Sequence, residues 1–354
     1  MRNYIRTWID RYLSDDAAIT LALVLIISVT LFLTLGALLA PVLASFVVAY
    51  LLQGMVSLLQ RLKLPHLIAV IITFCFFCTT LTLIIFMILP LVWEQMTHLF
   101  NELPRMIQQF QTLLKELPQQ YPTFVSDEQV KSIVQNLSTQ LGQAGQWLLS
   151  ISASKIIGIV TLLVYFVLVP ILVFFFLKDE SRIAQGMQKF LPKNSRLIKQ
   201  VMAEMNIQIA NYVRGKVIEI IIVAIADYIL FAWLGLHYAV LLAVLVGLSV
   251  IVPYIGAVVV TVPVVIISYL QWGADSEFIL LVCVYGIIQI IDGNVLVPLL
   301  FGEAVNLHPV VIIMAVLIFG GLWGFWGVFF AIPLATLIKA VYNAWPKDEL
   351  IQRA

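Results

Sequence analysis

The charged residues of this chain are confined to a few short stretches. Residues 19–60, 64–93 and 156–177 contain no Asp, Glu, Lys or Arg. Residues 217–270 hold only Glu219 and Asp227, and residues 278–338 hold only Asp292 and Glu303. Four of the 39 charged residues therefore fall within 209 residues, and 35 fall in the other 145. Apolar runs of about 18 residues or more are long enough to cross a bilayer as helices. The pattern predicts an all-α polytopic membrane protein with about eight hydrophobic segments. Composition agrees, since 62% of the 354 residues are hydrophobic and 11% are charged, against about 45–50% and about 25% in soluble domains. A soluble fold with so few charges could not cover its own surface. This excludes an ordinary cytosolic enzyme, a disordered chain and a nucleic-acid-binding domain, and a net charge of +1 offers no footprint for DNA or RNA.

The segments are 17–40, 41–60, 67–93, 156–177, 217–236, 238–270, 278–298 and 308–338. The basic start, with Arg2, Arg6 and Arg11, precedes an apolar run too long for a signal peptide, whose apolar core is about 7–15 residues. It reads as an uncleaved first span, with Pro41 turning the chain into a tight helical hairpin. Basic residues gather on the cytoplasmic side of membrane proteins. Arg61 and Lys63, the cluster Lys178, Arg182, Lys189, Lys193, Arg196 and Lys199, and finally Lys339, Lys347 and Arg353 then place both termini in the cytoplasm. The organisation that follows is an N-terminal three-span region (1–93), an external helical hairpin (94–155), a fourth span (156–177), a cytoplasmic basic linker (178–215), a C-terminal transport region (216–345) and a tail (346–354).

Two polar regions carry amphipathic signals. In 94–155, Met106, Ile107, Phe110, Leu113, Leu114 and Leu117 recur at helical spacing. Val130, Ile133, Val134, Leu137, Leu141 and Leu148 do the same, after a capping box at Ser126–Gln129. Two interfacial helices lying on the bilayer are the alternative to a hairpin there. In the basic linker, Ile198, Val201, Met202, Met205, Ile209 and Tyr212 form one stripe, expected to lie at the inner surface.

Two apolar segments are interrupted. Segment 238–270 would be about 50 Å long as one helix, against a hydrocarbon core of about 30 Å. Pro253-Tyr254-Ile255-Gly256 lies near its centre, so it is expected to tilt, kink or fold back. Segment 278–298 carries Asp292-Gly293-Asn294 and then Pro298, which makes it a second candidate for a broken or re-entrant element. Irregular backbone at membrane depth is tolerated only beside protein or a wet cavity. Residues 253–256 and 292–298 are therefore expected to face a polar pathway. A faint internal echo joins this region to the last segment. His237 precedes Gly256 by 19 residues and His308 precedes Gly327 by 19, with Ala-Val-Leu recurring at 243–245 and 315–317. Such interrupted segments in corresponding positions mark binding sites in transporters. In the last segment Gly320, Gly324 and Gly327 are spaced to share one helix face and to let another helix approach closely.

Intramembrane carboxylates mark function by default. Asp227 and Asp292 are the candidates for holding a solute hydroxyl, a proton or a sodium ion, with a structural carboxylate as the bland reading. Glu219 is expected to pair locally with Lys216 near the membrane edge, and Asn294 to offer neutral hydrogen bonds. His237 and His308 read as segment-end residues on the outer side, capping rather than relaying protons. Cys75, Cys78 and Cys283 sit in apolar runs and read as small packing residues, not as a disulfide or zinc set. No phosphate-binding G-x-x-x-x-G-K-[ST] and no H-E-x-x-H occurs, so neither an ATP engine nor a metal or other cofactor is expected.

At these residues a resemblance emerges. Gln289-Ile290-Ile291-Asp292-Gly293-Asn294 continues through Val297-Pro298, Gly302, Asn306-Leu307-His308-Pro309 and Gly324 to Pro333. With Val252-Pro253-Tyr254-Ile255-Gly256, Phe176-Leu177-Lys178-Asp179 and Tyr212-Val213-Arg214-Gly215, it resembles the autoinducer-2 exporter family of PerM-like permeases. Leu307-His308-Pro309 and the Gly-Leu-Trp-Gly-Phe-Trp-Gly run at 321–327 look most similar to the proteobacterial PerM branch. Asp227 departs from the small or apolar residue expected at its position. The resemblance implies a bacterial inner-membrane transporter, homo-oligomeric and by that likeness pentameric, whose helical hairpins carry the substrate. It implies autoinducer-2, or sodium or lithium exchanged for protons, as substrates in the family. The expected function is export of a small polar solute through a site containing Pro253, Tyr254, Gly256, Asp292, Asn294, Pro298 and Asp227. The alternatives are a cation/proton antiporter on the same fold and a membrane scaffold acting through the 94–155 helices.

Overall fold

The structure, a computed structural model, describes residues 16–120, 132, 135, 155–189, 196–302 and 307–344. Every element among the described residues is helical. In chain order they are α1 (Asp16–Arg61), α2 (His66–Leu83), a π-helical turn (Ile84–Ile88), α3 (Leu89–Gln120), α4 (Lys155–Lys178), α5 (Glu180–Lys189) and α6 (Arg196–Leu234). They continue as α7 (Ala239–Ser249), α8 (Ile255–Trp272), α9 (Ser276–Ile291), a second π turn (Asp292–Leu296), α10 (Val297–Phe301), α11 (Pro309–Phe329) and α12 (Ala331–Ala344). Six helices among the described residues are long and apolar enough to cross a membrane.

The expected hairpin at Pro41 does not form. α1 is one helix of 46 residues with Pro41 inside it. An internal proline costs a backbone hydrogen bond, but no glycine or polar turn flanks this one to reverse the chain in an apolar setting. Asp16 and Arg61 therefore stand at opposite ends of a rod about 69 Å long, and residue 16 does not share a side with Arg61 and Lys63. Residues 1–15 and the tail from 345 lie outside the described residues. α1 runs parallel to α4: Ser45 Oγ donates to the Pro41 carbonyl at 2.6 Å and reaches the Val169 carbonyl at 3.4 Å. Ala49, Leu52 and Val56 then pack on Val173 and Leu177, with Ala69 and Val70 of α2 completing the cluster. His66 Nε2 lies 3.1 Å from the Lys178 carbonyl, so the Arg61–Pro65 connector and the end of α4 share one end of the bundle.

α2, its π turn and α3 continue as one path beyond the opposite end. The first amphipathic helix of 94–155 is thus the extension of the third span, with Met106 and Ile107 half-buried. The second lies outside the described residues except for 132 and 135.

α6 is the helix about which the C-terminal helices are built. The basic-linker stripe is the first half of this 39-residue helix, not a separate surface element. Val201, Met205 and Tyr212 are buried, and Ile209 packs beside them, while Met202 is exposed. α9, the second π turn and α10 run antiparallel to α6. Tyr285 faces Phe231 with ring centroids 6.2 Å apart, and Phe301 faces Tyr212 at 5.7 Å.

Segment 238–270 folds back, as expected. α7 has 11 residues and α8 has 18, so the first arm, about 16 Å long, is too short to cross the hydrocarbon core. Val246 and Val250 of one arm pack with Val260 and Val264 of the other. The arms meet so closely at the turn that a Cβ on Gly256 would overlap the Ser249 carbonyl oxygen. A second hairpin lies within 309–344. Gly324 has φ 58° and ψ −134°, outside helical geometry. A Cβ on Gly327 would overlap the carbonyl oxygen of Phe319, eight residues earlier, whereas such residues lie about 12 Å apart along a straight helix. Gly320, Gly324 and Gly327 therefore do not share one helix face: Gly324 turns the chain and brings Gly320 and Gly327 together from opposite arms. Ala315 and Val316 pack on Ala331 and Ala335 below the turn.

Candidate functional site

Four ionisable side chains are linked through Asp292 where α6 passes the second π turn, and Lys216, at one end of the row, reaches the tip of the first hairpin. On α6, Lys216, Glu219 and Asp227 are 3%, 2% and 0% exposed. Lys216 Nζ pairs with Glu219 at 2.7 Å, donates to the Val250 carbonyl at 2.8 Å and stands 5.1 Å from the centre of the Phe301 ring. Asp292 lies within electrostatic reach of Lys216, Glu219 and Asp227. Both carboxylate oxygens of Asp227 and Oδ1 of Asp292 are buried without a hydrogen-bond partner. Glu219 and Asp292 thus share one ammonium, and Asp292 also faces Asp227 further along α6. Buried polar groups are ordinarily paired, and an unpaired buried carboxylate costs free energy that a proton, a cation or a hydroxyl donor would offset.

The sequence places these groups by local rules. Asp292-Gly293-Asn294 does not break the helix; it widens it. The Val297 amide donates to the Asp292 carbonyl, five residues back, which closes a π turn. Pro298 has no N–H to give to the preceding turn, and the wider turn accommodates it while the other backbone groups stay bonded, as lipid demands. Segment 278–298 is accordingly part of one 26-residue span, Ser276–Phe301, and not re-entrant. Single π turns inside helices are frequent at functional sites.

The predicted site residues separate into two groups. Asp227 and Asp292 come together, and Gly256 is buried at the hairpin they adjoin. Asn294 and Pro298 are exposed, and the Asn294 amide is used on the Ile290 carbonyl at 2.9 Å. Tyr254 is exposed at the hairpin tip with φ 62°, and Pro253 is half-buried beside it. The Lys216–Glu219 pair forms as expected but is buried among helices, not placed at a membrane edge. Its closeness to Asp292 was the signal missed: a Lys and a Glu three residues apart inside an apolar run can be tolerated only if something satisfies them.

A polar cleft opens at each end of this path. One, of about 690 Å³, is lined by Glu204, Gln208 and Asn211 of α6, Lys339 and Asn343 of α12, and Phe301. Phe301 therefore stands between that cleft and the Lys216 ammonium. The other, of about 320 Å³, lies at the far end of α6 and is lined by Glu94, His98 and Glu102 of α3 with His237 and Tyr238. There Tyr238 Oη donates to Glu102 at 3.0 Å, and the Leu241 amide donates to Gln95 at 2.9 Å. Burial first, then the Glu102 hydrogen bond and charge, push the Tyr238 hydroxyl up to about 12, so it keeps its proton and remains a donor. His237 donates its backbone N–H to Gln271 at 2.7 Å. His308 caps α11, accepting from the Val310 amide at 3.3 Å. The two histidines do not share a side: Ile312, one turn after His308, packs beside Tyr212, far along α6 from the 235–238 corner. Cys75, Cys78 and Cys283 are free, and no group of His, Cys, Asp and Glu among the described residues is arranged to hold a metal ion.

The chain resembles known proteins along nearly its whole length. PerM of Escherichia coli (strain K12), named as a permease, is 45% identical over 352 residues, covering 99% of this chain and all of that protein. YueF of Bacillus subtilis (strain 168), named as a transport protein, is 30% identical over 308 residues, 85% of this chain and 82% of its own. The AI-2 transport protein TqsA of Escherichia coli (strain K12) is 24% identical over 315 residues, 84% of this chain and 83% of its own. The pattern that defines the AI-2E family transporters matches residues 18–347. A polytopic helical chain with interrupted segments around buried carboxylates, matched over this span, belongs to the AI-2E transporter family.

Proposed function

We propose that this protein is an inner-membrane secondary transporter that exports a small polar solute, with Asp227 and Asp292 as the groups that bind and release the coupling proton or cation. The observation that carries this reading is Asp227, buried with neither oxygen bonded and facing Asp292, whose Oδ1 is also unpartnered, while the nearby ammonium of Lys216 already has Glu219 as its partner. With Lys216 matched to Glu219, Asp227 and Asp292 are left to take up charge during the cycle. The solute reaches them from the 690 Å³ cleft past Phe301 and leaves towards the 320 Å³ cleft. The name of the relative TqsA supports autoinducer-2 as the first solute to try. A cation/proton antiporter on the same fold is the second reading, favoured by the fact that both Asp227 oxygens lack a donor.

The test is flux into proteoliposomes, with labelled autoinducer-2 and sodium run in parallel beside a pH dye. Asp227→Asn and Asp292→Asn are compared with the parent. Loss of autoinducer-2 flux in both variants supports the solute exporter. Loss of sodium-driven proton movement instead supports the antiporter. Undiminished flux in both variants overturns the role given to the carboxylates.

A further inference from the structure

We propose that Lys216 is the latch that holds the tip of the first hairpin closed, and is thus a positioning residue for transport. α7 ends at Ser249, so the Val250 carbonyl lies past the last helical turn. Its natural helical donor would be the amide of Tyr254, but Tyr254 has left the helix, with φ 62° and ψ −53° after Pro253. The donor that reaches this carbonyl is instead the Lys216 ammonium, at 2.8 Å. The same ammonium pairs with Glu219 on its own helix at 2.7 Å and lies over the Phe301 ring at 5.1 Å. One buried charge therefore ties α6 to the hairpin tip and to the end of α10. Hydrogen bonds from a charged donor are roughly twice as strong as neutral ones, and burial in an apolar setting raises the cost of leaving this carbonyl unpaired.

The tip held in this way closes on the second hairpin. Ile251 packs with Tyr212, Ile312 and Ile332, and Val252 packs against the cluster of Ala315, Val316 and Ala331. These contacts are apolar and directionless, so the Lys216 bond is the polar fastening that fixes where the tip sits. A cation that settles beside Asp292 repels the ammonium and weakens its hold on Val250, which links filling of the site to release of the tip. That last step rests on the role proposed for the carboxylates; the latch itself does not.

The experiment reads the tip and not the flux. In a protein with Cys75, Cys78 and Cys283 replaced by Ala, Val252→Cys reports exposure of the tip to a polar maleimide in nanodiscs. Labelling is expected to be slow with Lys216 in place, about tenfold faster with Lys216→Met, and slow again with Lys216→Arg, which keeps charge and donors. Because Lys216→Met strands Glu219 in the interior and can prevent folding, the double variant Lys216→Met/Glu219→Gln is measured beside it. It removes both charges and is also expected to label about tenfold faster. Labelling at the parent rate in a double variant that elutes as the parent does on size exclusion overturns the proposal, whatever the flux assays give.

Discussion

The two hairpins of the C-terminal half use the same backbone device with different fastenings. In each, a glycine 19 residues after a histidine lies against a carbonyl of the opposite arm: Gly256 on Ser249, Gly327 on Phe319. The echo in the sequence is therefore an echo in geometry. The tips differ. The first turns at Pro253 and a positive-φ Tyr254 and is held by the buried Lys216 ammonium. The second turns at Gly324 and is held by apolar contact of Ala315 and Val316 with Ala331 and Ala335, with ring pairs along each arm. Phe319 stacks on Trp323 at 5.5 Å with planes 11° apart, and Trp326 stacks on Phe330 at 6.1 Å. A tip fastened by a charge answers to the ions around it, whereas a tip fastened by apolar contact does not. The first hairpin is the moving part under this comparison, and the second is the surface it closes on.

The comparison can be broken most directly at the shared glycines. Gly256→Val and Gly327→Val should each destabilise the protein by at least about 4 kcal/mol, because each side chain would enter a backbone carbonyl and not a flexible group. Thermal unfolding in detergent checks this, and a well-folded variant at either site removes the likeness between the hairpins. A smaller effect belongs to the second tip alone. Gly324→Ala should cost about 1–2 kcal/mol, since φ 58° disfavours a Cβ. Trp323→Leu should lose about 1 kcal/mol of ring stacking, lower the melting temperature and leave labelling at Val252→Cys unchanged. If it speeds that labelling as Lys216→Met does, the division into moving and fixed hairpins fails. Tyr254→Gly should stabilise the first tip by about 1 kcal/mol, by relieving a non-glycine residue of its positive φ. The smallest change is at the far cleft, where Tyr238→Phe removes one bond to Glu102 and should cost about 0.5–1 kcal/mol.

The sequence and the structure diverged at particular residues for physical reasons. The sequence points to breaks at three places, Pro41, Pro253–Gly256 and Asp292–Pro298, and three outcomes result. Pro253 and Gly256 reverse the chain, because two apolar arms pack on each other across the turn. Gly293 and Pro298 only widen a helix, because a π turn keeps the backbone bonded. Pro41 does neither, because no turn residue adjoins it and α1 beyond it packs on α4 through Ser45, Ala49, Leu52 and Val56. Gly324 was read as part of a packing face, and its positive φ makes it the turn itself.

What the sequence determined by itself follows from transfer of side chains out of water. The confinement of charge to short stretches fixed a helical membrane protein, and the scarcity of intramembrane carboxylates singled out Asp227 and Asp292 as the residues needing a reason. That segment 238–270 is interrupted at Pro253–Gly256 was also legible, because its length exceeds the bilayer, while the choice of folding back over tilting or kinking came from the packing of its two arms. Only the tertiary structure decided that Lys216, Glu219, Asp227 and Asp292 form one cluster. Residues 76 positions apart, from Lys216 to Asp292, meet there because α6 and the Ser276–Phe301 span run antiparallel. Local periodicity records which face of a helix is polar, but the partner of that face is set by how the helices pack, and this packing brings a lysine to the open carbonyl of Val250.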